Sequence, residues 1–235
     1  MKKISIILCT LNEVSFIEKT IKLIKKKIRK AEIIVIDDNS TDGTLEVLKR
    51  IKKKFNLKIK VRKNKKGLAS AFAEGLKMSS GTYVGFVDVN MSDQILYFNK
   101  LISNLENGDD IAVLSRYING GGDKRVFIRV STSWLINKVA KLILGVPFND
   151  FTSGIFLMNK KVLKKQKIIP RGHGEFFIEF IYSCIRRGNK ISEVPYIQKK
   201  DINFRGSKSY PNIFRFFYLG LKYLLAIICI KINNN

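Results

Sequence analysis

The sequence predicts an α/β domain in which helices flank a mostly parallel sheet. Three observations carry that reading. Short apolar runs rich in β-branched residues alternate with helical stretches three times before residue 83, the connections between them are short, and each strand runs into a cluster of polar residues. Such alternation favours parallel strands joined by right-handed crossovers.

The first strand is Ile4 to Leu8, running into Cys9-Thr10-Leu11-Asn12-Glu13, a polar loop that opens a helix. Its apolar run is short and flows straight into that loop, so the N-terminus reads as a strand and not as a signal peptide. Ile17, Ile21, Ile24 and Ile28 then recur at helical spacing, while Lys22, Lys25, Lys26, Lys27, Arg29 and Lys30 crowd the outer face. Such a basic face is either simply solvated or attracted to a membrane. Glu32 to Ile36 is the second strand, ending in Asp37-Asp38-Asn39-Ser40-Thr41-Asp42-Gly43 before a helix from Thr44 to Phe55. Those short acceptors can cap the helix or face a nucleoside. A third strand, Lys58 to Arg62, leads through Lys66 and Gly67 into a helix from Leu68 to Met78. Its Ala69, Ser70, Ala71, Ala73 and Gly75 permit close packing.

With 235 residues the chain can bury one substantial core, and no second globular domain is expected. A net charge of +25 attracts anions: nucleotide diphosphates, nucleic acid or anionic lipid headgroups. Cys9, Cys184 and Cys229 lie far apart in apolar contexts without metal-ligand spacing, so buried thiols in a reducing compartment are expected.

Tyr83 to Gln94, Y-V-G-F-V-D-V-N-M-S-D-Q, is the stretch around which a function can be organised. A buried strand ends abruptly in Asp88 and Asn90, with Ser92 or Asp93 close behind. The carboxyl edge of an open α/β sheet is where ligands bind, and two oxygen-bearing side chains two residues apart suit a hard divalent cation that also holds phosphate. A plain polar turn would look the same in isolation.

The series S-I-I-L-C-T-L-N-E, I-I-V-I-D-D-N-S-T-D-G-T, K-G-L-A-S-A-F-A-E-G-L and Y-V-G-F-V-D-V-N resembles the nucleotide-sugar half of family 2 inverting glycosyltransferases, dolichyl-phosphate mannose synthases above all. The likeness extends over roughly residues 4 to 209. It implies a GT-A-type, Rossmann-like fold, with a catalytic domain over 1–209 divided into a nucleotide-sugar half of about 1–95 and an acceptor half of about 96–209. It also implies that Thr10, Asn12, Glu13 and Asp38 line the nucleoside pocket, with Lys66 and Gly67 close to the nucleotide. Asp88 and Asn90 match the D-x-D positions that hold Mg²⁺ or Mn²⁺ on the diphosphate, with Ser92 as a further ligand position. The second Asp of that motif is Asn here, and an amide oxygen is still a valid ligand for a hard cation.

On the acceptor side, Ile111 to Leu114 reads as a strand, followed by Ser115-Arg116-Tyr117 and a glycine-rich loop, Asn119 to Asp123, expected to be mobile. The resemblance places Arg116 on the acceptor phosphate, with Arg129 and Ser133 on the following helix as further phosphate positions. A guanidinium fork suits two phosphate oxygens. Asp150 to Phe156 is similar to the block that closes the sugar site, although Leu157 stands where relatives carry a polar side chain. Glu179, on a helix from Glu175 to Arg187, matches an acidic position near the acceptor. The lone His173 sits in a joint and reads as structural. After a final strand, Ile191 to Tyr196, the segment Phe204 to Ser209 resembles the family's R-x-x-G-x-S-K; aligning Ser207 and Lys208 leaves Ile202 where Arg is usual, with Arg205 foremost, or else Lys200, in its place.

Residues 210–235 form an amphipathic helix and tail. From Ile213 to Ile230, fifteen of eighteen residues are apolar or aromatic, interrupted by Arg215, Gly220 and Lys222. Two cations seven apart favour a helix lying in the membrane interface over one crossing it; packing on the sheet is the competing arrangement.

The resemblance therefore implies a divalent-metal-dependent glycosyltransferase at the cytoplasmic face of a membrane. It would move a hexose, foremost mannose from GDP-mannose, to a polyprenyl phosphate such as dolichyl phosphate, with inversion. Alternatives are a UDP-glucose donor, a saccharide hydroxyl acceptor with Glu179 as base, or a non-catalytic relative weakened at Asn90. A nucleic-acid-binding protein is disfavoured, because the aromatic residues follow strand and helix patterns and no recognition motif is present.

Overall fold

The computed structural model describes residues 2–64, 66–166, 168–170, 174–200 and 213–233. The chain begins β1 (Ile4–Thr10), α1 (Ile17–Lys27), β2 (Glu32–Asp37), α2 (Thr44–Phe55), β3 (Leu57–Val61), α3 (Leu68–Met78), β4 (Tyr83–Phe86). The helices expected at 44–55 and 68–78 form with those bounds. Ile17, Ile21 and Ile24 of α1 are fully buried, as their spacing requires, each contributing about 1.5–3 kcal/mol. Before α2, Asp42 accepts from the backbone N of Thr44 at 3.0 Å and so satisfies one donor of the first turn, while the N-cap itself is Gly43, with no side-chain cap. Asn56 closes that helix in the left-handed conformation, φ 50°.

The second half adds a 3₁₀ segment (Val89–Tyr97), α4 (Phe98–Glu106), β5 (Ile111–Ser115), β6 (Gly122–Asp123), α5 (Phe127–Leu144) and β7 (Phe156–Asn159). A short 3₁₀ turn (Lys160–Lys164), α6 (Glu175–Arg186), β8 (Ile191–Pro195), β9 (Ile197–Gln198) and α7 (Ile213–Asn233) complete it. The main sheet has seven strands in the order β3-β2-β1-β4-β7-β5-β8. All run parallel except β7, which is antiparallel to both neighbours. β6 and β9 form a separate two-stranded pair.

The sequence did not reveal α4, β6, β9 or β7, the last because its four residues follow directly on the polar block ending at Phe156. The position of β7 explains Leu157. That side chain is 0% exposed and faces Gly85 of β4, where an added Cβ would lie 2.8 Å from Leu157 Cδ1 and 3.0 Å from the Phe156 carbonyl oxygen. Leu157 is therefore a packing residue of the central sheet.

Strand alternation divides the core into two layers. Phe86 and Phe156 face α3 and α6, where Phe72 meets both rings edge-on at 5.5 and 5.6 Å and Phe177 stacks on Phe156 at 5.3 Å. Tyr83, three residues before Phe86, lies on the other face, with its hydroxyl donating to the Leu105 carbonyl of α4 at 3.3 Å. α7 packs on α5 and α6 instead of on the sheet. Of the cysteines, Cys184 is buried and Cys9 partly so, whereas Cys229 is exposed on α7, contrary to the expected burial. His173, Arg205, Ser207 and Lys208 lie outside the described residues.

Candidate functional site: the carboxyl edge of the sheet

Register brings the ends of the first strands abreast. Thr10 of β1 pairs with Asp37 of β2, and Asp37 with Val61 of β3. Asp37 is fully buried and accepts from Thr10 Oγ1 at 2.6 Å, Ser40 N at 2.8 Å and Ser40 Oγ at 2.7 Å. It is the hub that fixes the loops after β1 and β2, a role not visible in the sequence. Asn12, in the left-handed region at φ 58°, donates its backbone N–H to Ser40 Oγ and accepts from Thr41 N through Oδ1 at 2.9 Å. Glu13 N donates to Thr44 Oγ1 at 2.9 Å. Thr10, Asn12 and Glu13 thus sit together at this edge.

Asp38 joins a second lock. Its Oδ1 accepts from Arg62 Nε at 2.7 Å and its Oδ2 from Gly67 N at 2.8 Å, while Arg62 also donates to Ser70 Oγ and the Gly67 carbonyl. One buried arginine therefore joins β2, the end of β3 and the first turn of α3, and holds Gly67 and the exposed Lys66 at the mouth of the edge. Arg62 was hidden in the sequence as the last residue of a strand.

Asp88 follows β4 by two residues and is half-buried; Asn90 is exposed and Ser92 half-buried in the 3₁₀ segment. Cys9, between the two acidic loops, reports their field. Burial raises its thiol pKa most and the Asp38 carboxylate next; Arg62 opposes them, and Asp88 adds the smallest upward push. Among the described residues no group of three or more His, Cys, Asp or Glu side chains is arranged to hold a metal ion. The donors here are one carboxylate and a neighbouring amide or hydroxyl oxygen. That set fits Mg²⁺ or Mn²⁺ only as part of a joint site completed by phosphate oxygens and water, which is how Mg²⁺ is ordinarily bound.

Across the same edge, after β5, Arg116 is 5% exposed. Asp150 accepts from its backbone N and Nε, each at 2.9 Å, and from Nη2 at 2.7 Å. Nη2 also reaches Thr152 Oγ1 at 2.7 Å, and Nη1 lies 3.4 Å from Asp123 Oδ2. Thr152 in turn contacts Ser133 Oγ at 2.9 Å and Asn137 Nδ2 at 2.8 Å, which ties α5 to the loop before β7. Glu193 of β8 holds that loop from behind, accepting from Asn149 N, Asn149 Nδ2 and Asp150 N. Burial would raise the Asp123 carboxyl pKa, but Arg125 and then Arg116 outweigh it and hold it low.

The glycine-rich loop is pinned. A Cβ at Gly121 would lie 2.7 Å from the Arg116 carbonyl oxygen, and Gly122 N donates to the Tyr196 carbonyl at 3.0 Å. Close backbone approach accounts for Gly121 and a left-handed φ of 81° for Gly120. Arg129 is half-buried in the first turn of α5, one helical turn before Ser133. Glu179 is half-buried on α6.

A mostly parallel sheet crossed by one antiparallel strand, with an acidic donor edge facing an arginine-centred cluster, is the GT-A arrangement of glycosyltransferases. Residues 5–166 match Glycosyl transferase family 2, and the chain belongs to that family. It is 32% identical over 206 residues to the dolichol-phosphate mannosyltransferase of Pyrococcus furiosus, covering 83% of this chain and 56% of that protein. It is 28% identical over 174 residues to the polyprenol monophosphomannose synthase of Mycolicibacterium smegmatis, covering 69% and 64% respectively. The chain thus spans less than two-thirds of the length of either relative. The fold is shared with glucosyl-3-phosphoglycerate synthase of Mycobacterium tuberculosis, solved with Mn²⁺ and uridine diphosphate, at a TM-score of 0.73 and 18% identity over 97% of this chain and 80% of that one.

Proposed function

We propose that the chain transfers a hexose, foremost mannose from GDP-mannose, to the phosphate of a polyprenyl lipid such as dolichyl phosphate, with inversion. The observation that carries this reading is the convergence of Asp88 and the Arg116–Asp150–Thr152–Ser133 cluster on one sheet edge, in a chain whose relatives include a dolichol-phosphate mannosyltransferase.

The loops locked by Asp37 and Asp38 present Thr10, Asn12, Glu13, Lys66 and Gly67 to the nucleotide. Asp88, with Asn90 and Ser92 behind it, would hold Mg²⁺ or Mn²⁺ at the diphosphate end. When bound, such an ion neutralises charge on the departing diphosphate. Arg129 and Ser133 orient the acceptor phosphate, with Arg116 reaching it through Nη1, whose 3.4 Å contact with Asp123 is the longest of its contacts. Arg205, Ser207 and Lys208 complete the acceptor side in this reading. An acceptor phosphate is anionic near neutral pH, so a single in-line displacement needs positioning more than a general base. Glu179 would become the base only if a saccharide hydroxyl were the acceptor.

Membrane association is supported by exposed apolar side chains on two adjoining helices. Phe127 and Leu142 of α5 are 85% and 84% exposed, and Ile232 of α7 is 69% exposed. Tyr218, Leu221, Leu225 and Ile228 extend that face along α7, while Ile227 and Ile230 turn inward. No helix among the described residues is long and apolar enough to cross a membrane. A helix with one apolar face turned outward suits the interface, and we assign it to the cytoplasmic leaflet, where anionic lipid would attract the basic surface.

The test is transfer by the full chain in detergent, with dolichyl phosphate as acceptor and GDP-mannose or UDP-glucose as donor. Lipid-linked mannose from GDP-mannose is expected. Product from UDP-glucose alone would reassign the donor, and no lipid-linked product from either would overturn the proposal.

A further inference from the structure

Two segments on opposite sides of the proposed site meet at one short strand. β9 pairs in parallel with β6, Gly122 beside Ile197 and Asp123 beside Gln198. Its backbone holds the glycine-rich loop: Gly122 N donates to the Tyr196 carbonyl at 3.0 Å, and Lys124 N to the Gln198 carbonyl at 2.9 Å. That loop carries Asp123, whose Oδ2 lies 3.4 Å from Arg116 Nη1. The side chain of Gln198 is buried and turns to the other segment, where its Nε2 donates to Met91 Sδ at 3.1 Å. Its Oε1 accepts from the Tyr196 hydroxyl at 2.8 Å and from Gln94 Nε2 at 3.1 Å. An amide oxygen accepts and an amide nitrogen donates, so these three partners fix the orientation of the group.

Met91 stands between Asn90 and Ser92. It is the residue at which the 3₁₀ segment leaves helical dihedrals, φ −115° and ψ 38°, and its N donates to the Asp88 carbonyl at 3.1 Å. A thioether is a weak acceptor, but Gln94 and Tyr196, which enclose this contact with Gln198, are 4% and 2% exposed, so water has little access to replace it. The Lys199–Asp93 ion pair, at 2.9 Å, spans the same two elements with both side chains exposed and contributes little. We propose that Gln198 is a positioning residue that couples the two sides of the site. Its side chain holds the Asp88–Ser92 segment at Met91, and its backbone holds the loop that sets Asp123 against Arg116. The inference rests on the reading of Asp88 as a donor-side group and Arg116 as an acceptor-side group. A ligand that fixes one segment then favours binding at the other, and the effect is reciprocal.

The test is equilibrium binding by the full chain, without turnover. Affinity for GDP or UDP, whichever binds in saturating Mn²⁺, is measured with and without saturating citronellyl phosphate, a short isoprenyl phosphate. The wild type is expected to gain about fivefold or more in nucleotide affinity when the isoprenyl phosphate is present. Met91→Leu removes the sulfur at nearly constant volume, a swap that cores tolerate, and its gain is expected to fall below about twofold. Gln198→Leu is expected to behave alike; should it not fold by thermal melting, Met91→Leu decides alone. Lys199→Gln, which breaks the exposed ion pair, is expected to keep the wild-type gain. A full gain in either folded variant of the Met91–Gln198 contact would overturn the proposal, as would loss of the gain in Lys199→Gln. Binding of both ligands to wild type with no mutual effect would overturn it and leave the transfer reading standing. Failure of the nucleotides or of the isoprenyl phosphate to bind at all would overturn both.

Discussion

Asp150 grips Arg116 at three points, accepting from its backbone N, Nε and Nη2 within 2.9 Å. Both side chains are removed from solvent, so the pair is a structural joint as well as part of the proposed acceptor side. Removing one partner strands a buried charge. Asp150→Ala is expected to cost about 3–5 kcal/mol in urea unfolding, because the Arg116 guanidinium keeps its charge. Arg116→Lys keeps the charge but loses the two-pronged contact, and a smaller loss is expected.

Gly85 and Leu157 set a second prediction, on the strand that delivers Asp88. Gly85→Ala places a methyl 2.8 Å from Leu157 Cδ1, and overpacking of this kind costs about 1–3 kcal/mol. Leu157→Ala alone leaves a cavity costing about 2–5 kcal/mol. The double variant should be more stable than the sum of the two losses implies, because the new methyl enters the space vacated. Strict additivity in denaturant midpoints would contradict the packing described.

Glu32 supplies a pH dependence. Burial would raise its pKa, but the Lys58 ammonium at 2.6 Å and hydrogen bonds from Ser5 Oγ, Ser80 N and Ser80 Oγ outweigh it and lower the pKa to about 2. A depressed carboxylate contributes stability that is complete above its unfolded value of 4.5 and is lost as pH falls toward 2. Glu32→Gln should cost on the order of 2 kcal/mol at pH 7. Its stability should then fall less than that of wild type between pH 5 and about 2, a difference readable in thermal midpoints across that range.

The sequence made the first half of the chain legible because strand and helix alternate there with period changes that local residues dictate. Ile17, Ile21 and Ile24 needed only their spacing to be placed, and all are fully buried. What escaped depends on contacts distant along the chain. β7 joins β4 and β5 in reverse direction, a pairing that four residues cannot announce. Asp37 and Arg62 resemble ordinary strand ends, and their roles emerge only when Thr10, Ser40, Gly67 and Ser70 are brought around them. The glycine-rich loop was misjudged for a related reason: composition suggests freedom, whereas Gly121 is glycine because the Arg116 backbone passes so close. Asp88 was visible as the polar end of a buried strand, and the structure adds that Cys9 feels both it and Asp38.

The account depends most on Asp88 as the residue that couples metal to the donor diphosphate. The direct measurement is GDP affinity of the full chain by equilibrium titration, with and without saturating Mn²⁺, for wild type and Asp88→Ala. Mn²⁺ is predicted to tighten GDP binding to wild type about tenfold or more, the equivalent of one charge-assisted contact, and to leave Asp88→Ala unaffected. The same Mn²⁺-dependent gain in both proteins would contradict it.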